Sequence, residues 1–338
     1  MPAPIDLEAW DYELPADRIA RHPPAERDGG RLLVVDRRTG GFSDRRVTDL
    51  PSLLSPGDLV VVNTTRVFPA RLRARRRSGG ACELLVLELG NGPVAALVRP
   101  ARKLRVGDTL SLEGGLEARI CSAPVDGVAR VDLGPDPLGV LQAIGEIPLP
   151  PYLGRSAEPN DATRYQTLFA DVAGSAAAPT AGLHFTPAIV AQLAARGIPV
   201  VGVQLHVGLG TFRPLRPEDL ERGRLHEEEW AVPAATATRI AQTRAEGGRV
   251  IAIGTTTART LEAATRSGDV QGRTDLLIAP GYEVTSFDFL FTNFHLPGSS
   301  LLLLVGALLG REGTLAAYAH AVRSGYRFYS YGDAMLVL

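Results

Sequence analysis

The sequence VIAIGTTTARTLE, at residues 250–262, places a short apolar run directly before a threonine-rich turn and a helical pattern. The run from Val250 to Ile253 lies between glycines and is typical of a buried strand. The turn Thr255 to Thr257 follows it, and the helical pattern continues through Glu262. A buried strand that leads straight into a helix is half of a βαβ unit, so this stretch indicates an α/β fold.

The same alternation of helix and strand occurs on the amino-terminal side of this stretch. Residues 187–195 predict a helix with proline in its first turn, residues 198–205 a buried strand, and residues 234–245 a second helix. This alternation predicts a largely parallel sheet that is covered by helices.

The polar loops at the predicted strand exits are the candidates for an active site. In sheets of this kind, active sites lie beyond the carboxyl ends of the strands. The loops in question follow Val203, Ile253 and Phe291. We therefore expect their side chains to converge on one site.

Residues 69–149 have a different pattern, in which short apolar stretches alternate with glycine-containing turns. The stretches lie at residues 82–89, 94–98, 109–112, 116–120 and 129–133. Five or six short strands at this spacing predict a small antiparallel β-barrel. Proline-rich residues 147–151 end the zone, because proline cannot donate to a strand ladder. We predict a main α/β domain of residues 1–68 and 150–338, with the barrel of residues 69–149 inserted in it.

The composition is that of an ordinary globular protein. Of the 338 residues, 45% are hydrophobic and 22% charged, and the net charge is −1, so binding of nucleic acid by bulk charge is disfavoured. Two cysteines exclude a disulfide framework. The start of the chain does not resemble a secretory signal, and the most apolar segment, Leu301 to Leu309, has half the length of a membrane span. We expect the protein to be a cytoplasmic monomer that does not associate with a membrane and has no obligatory protein partner.

Two histidines lie in glycine-containing loops. His184 belongs to APTAGLHFT at 178–186, just before a predicted helix, and an imidazole there can act as an acid or a base near neutral pH. His206 belongs to LHVGLGTF at 205–212, whose glycines let backbone amides approach an anionic or nucleotide group. The alternatives are a histidine that only hydrogen-bonds its own loop and a simple tight turn.

Three further segments carry polar groups that suit a ligand. The threonine hydroxyls and first-turn amides of residues 254–262 can hold carboxylate or ribose oxygens, or simply cap the helix. The sequence TNFHLP at 292–297 can recognise the edge of a purine, or form a turn before proline. The sequence YRFYSYGDAM at 326–335 can surround a cation with rings and a carboxylate, or supply core aromatics to a strand.

The sequence LHEEEW at 225–230 superficially suggests a zinc protease. Trp230 stands where a second histidine ligand is required, so the zinc interpretation fails. We interpret these residues as a solvated acidic turn and predict no metal site.

Taken together, these segments resemble one family, the S-adenosylmethionine:tRNA ribosyltransferase-isomerases of queuosine biosynthesis. The resemblance runs nearly from end to end. It also includes YELP at 12–15, RD at 27–28, RLL at 31–33, TRV at 65–67, PARL at 69–72, IPLPPY at 147–152 and RYQT at 164–167. The resemblance implies an α/β main domain with an inserted antiparallel barrel, which agrees with the zones inferred above.

The resemblance also implies a reaction. The ribosyl part of S-adenosylmethionine is transferred to 7-aminomethyl-7-deazaguanine at the wobble position of a tRNA and rearranges, giving epoxyqueuosine, adenine and methionine. S-adenosylmethionine is then a consumed substrate, and no other cofactor is implied. A base must remove a proton from the ribose CH2 beside the sulfonium.

The family's motifs locate candidate site residues in this chain. For catalysis we consider His184 and His206, with no choice between them as the base, and Asp333, which like Glu262 can offset the sulfonium charge. Asn293 and His295 can hydrogen-bond the leaving adenine, and Arg259 can hold the methionine carboxylate. The candidate substrate-binding residues are Arg66, Thr180, Gly182, Gly208, Gly210, Thr255, Thr256, Arg259, Glu262, Asn293, His295 and Tyr331.

Two arginine-rich clusters are candidate contacts for the tRNA phosphates. The first cluster, at the entry to the predicted barrel, consists of Arg66, Arg71, Arg73, Arg75, Arg76 and Arg77, and the second consists of Arg99, Arg102, Lys103 and Arg105. The alternative is a solvated basic turn.

This chain departs from the family pattern at two polar positions. The usual N-D-T-R is here Asn63-Thr64-Thr65-Arg66, and the usual H-x-M-H begins here with Gly223. Two alternatives therefore remain open: a divergent paralogue that uses S-adenosylmethionine on another, possibly small, acceptor, and a noncatalytic RNA-binding protein on the same scaffold.

Overall fold

A computed structural model of the protein describes residues 5–90, 92–208, 210 and 215–338. Part of the glycine-rich segment at 205–212, namely Leu209, Thr211 and Phe212, lies outside the described residues. Nine of the described strands form one sheet in the order β15-β13-β12-β3-β14-β16-β17-β1-β2. They are β1 (Arg31–Asp36), β2 (Gly41–Arg46), β3 (Leu59–Asn63), β12 (Val200–Leu205), β13 (Arg224–Ala231), β14 (Val250–Ile253), β15 (Gln271–Leu276), β16 (Phe289–Asn293) and β17 (Ala334–Val337).

The sheet is mixed, so the prediction of a largely parallel sheet is wrong. The four central strands β12, β3, β14 and β16 are mutually parallel, and β17 is parallel to β1. The other four neighbouring pairs of the described sheet are antiparallel. The parallel core accounts for the βαβ pattern, whereas the antiparallel pairs lie on either side of it, among them the β1–β2 hairpin, which needs no helical crossover.

Local signals in the sequence mark the starts of helices in the described part of the chain. The helices are α1 (Leu50–Leu53), α2 (Pro137–Ile144), α3 (Asp161–Arg164), α4 (Pro187–Ala195), α5 (Pro217–Arg222), α6 (Ala234–Ala245), α7 (Thr255–Ser267) and α8 (Ser300–Arg323). The Thr186 side chain caps α4 by accepting a hydrogen bond from the amide of Ile189, and proline occupies its first turn. Gly254, with a φ of 89°, turns the chain from β14 into α7.

Six strands close into a separate antiparallel barrel in the order β10-β7-β6-β5-β8-β9. They are β5 (Arg71–Arg76), β6 (Ala81–Val86), β7 (Val94–Arg99), β8 (Thr109–Ser111), β9 (Glu117–Ile120) and β10 (Val128–Asp132). Leu72 and Ala74 of β5 are buried, whereas Arg73 and Arg75 are exposed, as strand alternation requires. The predicted fold class, an α/β fold with a small antiparallel barrel, is confirmed. The domain boundaries 1–68, 69–149 and 150–338 stay a prediction.

A short parallel pair lies beside the sheet, formed by β4 (Thr65–Val67) and β11 (Val172–Ser175). It matters for the site because β4 follows β3 after a single residue, Thr64.

The apolar segment Leu301 to Leu309 lies in α8, in agreement with the prediction of a buried helix or strand. Length and composition alone would let α8 cross a membrane, but Leu302 to Gly306 are buried in the protein core. The helix is also interrupted at Gly310, which has a φ of 69°. A core helix that passes the same length and composition test is weak evidence for a membrane span.

Candidate active site

The carboxyl ends of the four parallel strands meet at one edge of the sheet, and polar residues lie along this edge. His206 directly follows β12, Asn63 ends β3, Thr255 begins the helix after β14, and Asn293 ends β16. Asp333 lies at the same edge because β17 is antiparallel to β16 and pairs Ala334 with Asn293. From β12 to β16 the edge covers three strand spacings, or about 14 Å.

His184 lies at the β16 end of this edge, in a 3-10 helix formed by Thr180–His184. Its side chain is buried and contacts the Phe291 ring edge-on. Nδ2 of Asn293 donates to Nε2 of His184 at 3.1 Å, and to the carbonyl oxygens of Tyr329 and Asp333 at 3.2 and 3.4 Å. The two carbonyl oxygens identify this end of Asn293 as the amide nitrogen, whose two hydrogens are shared among the three acceptors. An amide nitrogen only donates, so Nε2 of His184 accepts and the proton of the neutral ring lies on Nδ1.

Burial lowers the pKa of His184 to about 4, and the nearby Asp333 carboxylate opposes this shift only in part. Asp333 is itself buried and accepts hydrogen bonds from the amides of Arg31 and Arg327 at 2.9 and 2.7 Å. A Cβ atom at Gly30 would lie 3.3 Å from Nδ1 of His184 and 3.5 Å from Oδ1 of Asp333. The imidazole and the carboxylate therefore border one small space, which a glycine keeps open.

His206 lies at the β12 end of the same edge and is partly exposed. Its Nδ1 is 2.7 Å from Oγ1 of Thr65, and its Nε2 has no hydrogen-bond partner among the described residues. The ring packs directly on Gly174, where a Cβ atom would lie 2.5 Å from Nδ1 and Cε1 of the imidazole. Burial lowers the pKa of His206, and the Glu229 carboxylate opposes this shift.

A cleft of about 430 Å³ separates the barrel from the sheet at His206. Barrel residues Leu87, Glu88, Leu89 and Ala95 form one wall, and residues of β11, the β12 exit and β13 form the other. The lining includes four glutamates, of which Glu88 and Glu227 pair with Arg130 and Arg273 at 2.9 and 3.1 Å. The cleft is therefore rich in carboxylates and also lined by two imidazoles, those of His206 and His226, of which His206 is held at the wall by Thr65 and Gly174.

Glu228 is a residue of this cleft that the sequence prediction missed. The interpretation of residues 225–230 as a solvated acidic turn is wrong, because these residues lie in β13 and Glu228 is buried. Its carboxylate forms a buried ion pair with Nη1 of Arg259 and accepts a hydrogen bond from the amide of Gly208 at 3.1 Å. The signal was present in the sequence, since Glu228 and the buried Trp230 share one face of a strand.

Arg259 is held by this ion pair and by the carbonyl oxygen of Leu276, to which Nε donates at 3.1 Å. Nη2 of Arg259 is buried and has no hydrogen-bond partner among the described residues. Nε and Nη1 of Arg259 are thus paired within the protein, whereas Nη2 remains available as a donor.

Asn63 connects the β12 exit, which carries His206, to the predicted site residue Thr256. Nδ2 of Asn63 donates to Oγ1 of Thr256 at 3.1 Å and to the carbonyl oxygen of Leu205 at 3.0 Å. Oδ1 of Asn63 accepts from the amide of Thr65 at 3.0 Å. This side chain therefore fixes the relative positions of β3, the β12 exit and the start of α7.

The predicted glycines and the remaining polar candidates differ in position. Gly182 lies in the same 3-10 helix as Thr180 and packs against the Thr167 side chain, 3.0 Å from where a Cβ atom would lie. Gly210 is exposed, with nothing within 4 Å of a Cβ atom there.

Tyr331 is buried beside His184 and donates to Oδ1 of Asp161 at 2.8 Å. Arg66 is exposed and donates to the carbonyl oxygens of Ala170 and Asp171.

Two predicted site residues, His295 and Glu262, have their polar atoms used inside the protein. Nε2 of His295 lies 2.8 Å from Oγ1 of Thr292, its carbonyl oxygen accepts from the Tyr12 hydroxyl, and burial lowers its pKa to about 3. Glu262 accepts four hydrogen bonds from Tyr282, Thr285 and Ser286, at 2.7 to 2.9 Å. The contacts favour structural roles for both, in place of the predicted contacts with adenine and with a sulfonium.

The three histidines do not line one hollow. His206 lines the large cleft, His184 lines a separate crevice of about 10 Å³, and His295 lines neither of these two. The structure thus brings together His184, Asn293, Asp333 and Tyr331 in one group, and His206, Gly208 and Arg259 in another.

Comparison with known proteins gives the family of the chain. A family model described as queuosine biosynthesis protein matches residues 7–337. The chain belongs to this family. The recognition predicted from the sequence motifs is therefore confirmed.

Individual members of the queuosine biosynthesis family are similar over their whole length. An S-adenosylmethionine:tRNA ribosyltransferase-isomerase of Anaeromyxobacter sp. (strain K) is 49% identical, with 98% of this chain and 99% of that protein covered. The protein of the same name from Heliobacterium modesticaldum is 46% identical over 99% of this chain and 100% of the relative. A crystal structure of the S-adenosylmethionine tRNA ribosyltransferase of Thermotoga maritima is 36% identical, covers 98% of this chain and 100% of that one, and has a TM-score of 0.58.

Proposed function

We propose that this protein transfers and isomerises the ribosyl moiety of S-adenosylmethionine onto 7-aminomethyl-7-deazaguanine at the wobble position of a tRNA. The products are epoxyqueuosine in tRNA, adenine and methionine, and S-adenosylmethionine is consumed as a substrate. Family membership over residues 7–337 supports the reaction class. The observation that carries the assignment to a site is the carboxylate-lined cleft in which His206 presents a free ring nitrogen.

The charge of this cleft suits a sulfonium nucleoside. Four glutamates line it, and Glu229 has no ion-pair partner within 4 Å among the described residues. A cation in a partly enclosed site gains more from a neighbouring carboxylate than it does in bulk water. The volume of about 430 Å³ also lies in the range of small-molecule sites.

His206 is the better candidate for the base that removes the ribose CH2 proton. Its Nε2 is free, the lowered pKa keeps the imidazole neutral at pH 7, and the cleft gives a substrate access to it. In His184 the lone pair of Nε2 is already used by Asn293, and a pKa of about 4 makes it a weak base. His184 is then a positioning residue, which with Asn293 holds the β16 end of the site.

A buried polar atom without a partner supports a contact with one of the leaving groups. Nη2 of Arg259 is a buried free donor and suits the methionine carboxylate. Oδ1 of Asn293 is also unpaired among the described residues, but Asn293 lines neither the cleft nor the crevice, so its predicted contact with adenine gains no support from the packing. An unpaired buried polar atom costs free energy in the empty protein, and a ligand that pairs it recovers that cost.

Exposed arginines of the barrel support binding of the tRNA phosphates. Arg75, Arg77, Arg102, Lys103 and Arg105 are exposed and lack ion-pair partners within the part of the chain that the structure describes. Arg71 and Arg73 contribute less, because they pair with Glu83 and Glu146 at 3.5 and 2.5 Å. Cationic contacts of this kind make tRNA affinity fall as the salt concentration rises.

One incubation tests the proposal. The protein is mixed with S-adenosylmethionine and a tRNA that carries the aminomethyl deazaguanine, and the nucleosides are then digested and identified by mass. Epoxyqueuosine together with released adenine is the expected result. Adenine release only with another acceptor would indicate the divergent paralogue, and tRNA binding without adenine release would indicate the noncatalytic protein.

A further inference from the structure

Two arginines outside the proposed cleft form an unusual cationic pair. Arg27 donates to the carbonyl oxygens of Thr163 and Gln166, both at 2.8 Å. Arg164 donates in return to the carbonyl oxygens of Pro24 and Ala25, at 2.6 and 3.1 Å. Each arginine therefore donates hydrogen bonds to the chain segment that carries the other. These contacts hold the two half-buried guanidinium groups close together.

No carboxylate neutralises this pair among the described residues, since neither arginine has an ion-pair partner within 4 Å. Two carboxylates that neighbour the arginines in the sequence have partners elsewhere: Asp161 pairs with Arg155 at 2.6 Å, and Asp28 accepts from the Thr186 hydroxyl at 2.8 Å. Burial lowers the pKa of Arg27, and the positive charge of Arg164 lowers it further. Two like charges that are held together without a counter-ion favour an external anion.

The shape of the surface limits what this anion can be. Arg27 and Arg164 border the crevice that is also lined by His184, Tyr331 and Gly332. The volume of this crevice, about 10 Å³, is enough for roughly one water molecule, so the amino-acid end of S-adenosylmethionine cannot be enclosed there. An anion that contacts both guanidinium groups must approach from outside, as a phosphate of a large polymer does.

We propose that Arg27 and Arg164 bind one backbone phosphate of the substrate tRNA, at the His184 end of the sheet edge. This inference rests on the proposed function, since it assumes that the RNA is the substrate. Planar guanidinium groups suit phosphate because they donate two parallel hydrogen bonds each. Each guanidinium group has five N–H donors and uses two of them on carbonyl oxygens, so donors remain after the carbonyl contacts are made. The phosphate then fixes the tRNA across the edge, while the cleft at His206 holds the small substrate.

The test measures the affinity for tRNA at several salt concentrations, without turnover. The double variant R27Q/R164Q should bind the aminomethyl-deazaguanine tRNA about tenfold more weakly at 0.15 M KCl. The slope of log Kd against log salt should decrease by about one, because one phosphate contact is lost. In a separate turnover assay, the KM for S-adenosylmethionine should stay within about twofold of the wild-type value.

Two controls separate charge from structure. R38Q removes a highly exposed arginine at the opposite edge of the sheet, in the turn that joins β1 to β2, and should leave both affinity and slope unchanged. R27K/R164K keeps the charges but loses the planar donors, and it should retain most of the salt slope. If R27Q/R164Q does not fold, judged by circular dichroism, the single variant R27Q gives the same slope measurement.

An unchanged salt slope in the folded glutamine variants would overturn the inference. So would a rise in the KM for S-adenosylmethionine with tRNA affinity intact, which would assign the pair to the methionine carboxylate. Failure of the wild-type protein to form epoxyqueuosine would instead count against the proposed function, because the binding titration is independent of turnover.

Discussion

His184 and His206 lie at the two ends of one sheet edge, yet their surroundings give them opposite properties. His184 is 4% exposed, its Nε2 accepts from Asn293, and its pKa is lowered to about 4. His206 is partly exposed to a large cleft, and its Nε2 is free. Both are histidines in glycine-containing loops, so the difference is produced by burial and by the neighbours that the fold supplies. A base needs access and an available lone pair, and only the His206 cleft provides both.

The largest expected effect separates these two imidazoles directly. His206→Ala should lower turnover about 10³-fold, because general-base catalysis contributes on this order. Binding of S-adenosylmethionine and tRNA should change only a few-fold, and single-turnover rates with separate binding titrations measure the two effects. His226→Ala, which alters a second imidazole in the same cleft, is the control and should have a small effect. A greater loss of turnover in folded His184→Ala protein would reverse the roles assigned here.

The buried ion pair of Glu228 and Arg259, beside the His206 cleft, should contribute strongly to the free energy of unfolding. Glu228→Ala leaves the Arg259 charge buried without its partner, and this should lower the free energy of unfolding by about 3–5 kcal/mol. Urea denaturation monitored by circular dichroism gives the value.

The matched control is Glu227→Ala, in the neighbouring position of the same strand. The Glu227 and Arg273 side chains are 61% and 51% exposed, so their pair should contribute less than about 1 kcal/mol. Equal losses in the two variants would mean that the Glu228–Arg259 pair is not a buried charge pair in solution.

The depressed pKa of His184 should make stability depend on pH. Its folded pKa of about 4 lies below the usual value of 6.5, so the unfolded chain binds more protons between these values. The part of the free energy of unfolding that depends on a neutral His184 is fully present above pH 6.5 and is lost as the pH falls toward 4. Between pH 7 and pH 5 the loss should be about 2 kcal/mol.

Urea denaturation at both pH values, compared with His184→Gln, isolates this contribution. The variant carries no titrating imidazole at that position, so its stability should fall by less over the same range. Parallel pH dependence in the two proteins would show that His184 is not buried as a neutral group.

The smallest effect concerns a position outside both regions. Gly223 ends α5 with a φ of 64° and is exposed, and it does not line the cleft. Gly223→His, which introduces the histidine expected from the H-x-M-H pattern, should cost about 1 kcal/mol because a side chain disfavours this backbone region. Turnover with tRNA should stay within about twofold. A large gain in turnover would support the divergent paralogue, in which this position had changed with the acceptor.

Elements with strong local signals could be predicted from the sequence. Residues 187–195 and 234–245 form helices with the predicted bounds, since proline starts the first and a glycine follows the end of each. The strand of residues 250–253 also agrees, and glycines frame it. Caps and breakers act over a few residues, so the chain itself carries the information.

The site was harder to predict because its contacts join distant parts of the chain. Glu228 is buried by Arg259, 31 residues away, and three consecutive glutamates conceal the alternation of a strand. His295 is covered in part by Tyr12, whose hydroxyl reaches its carbonyl oxygen across 283 residues. The motifs therefore marked loops that lie at one edge of the sheet, whereas the proposal of His206 over His184 as the base required the three-dimensional packing.

The contact of the His206 ring with Gly174 restricts what substitutions the gene can tolerate. Even one methyl group at position 174 would overlap the imidazole, so alanine there must displace the ring from its place beside Thr65. In a distant homologue, an alanine or larger residue at the equivalent position would thus indicate an imidazole placed differently from that of His206.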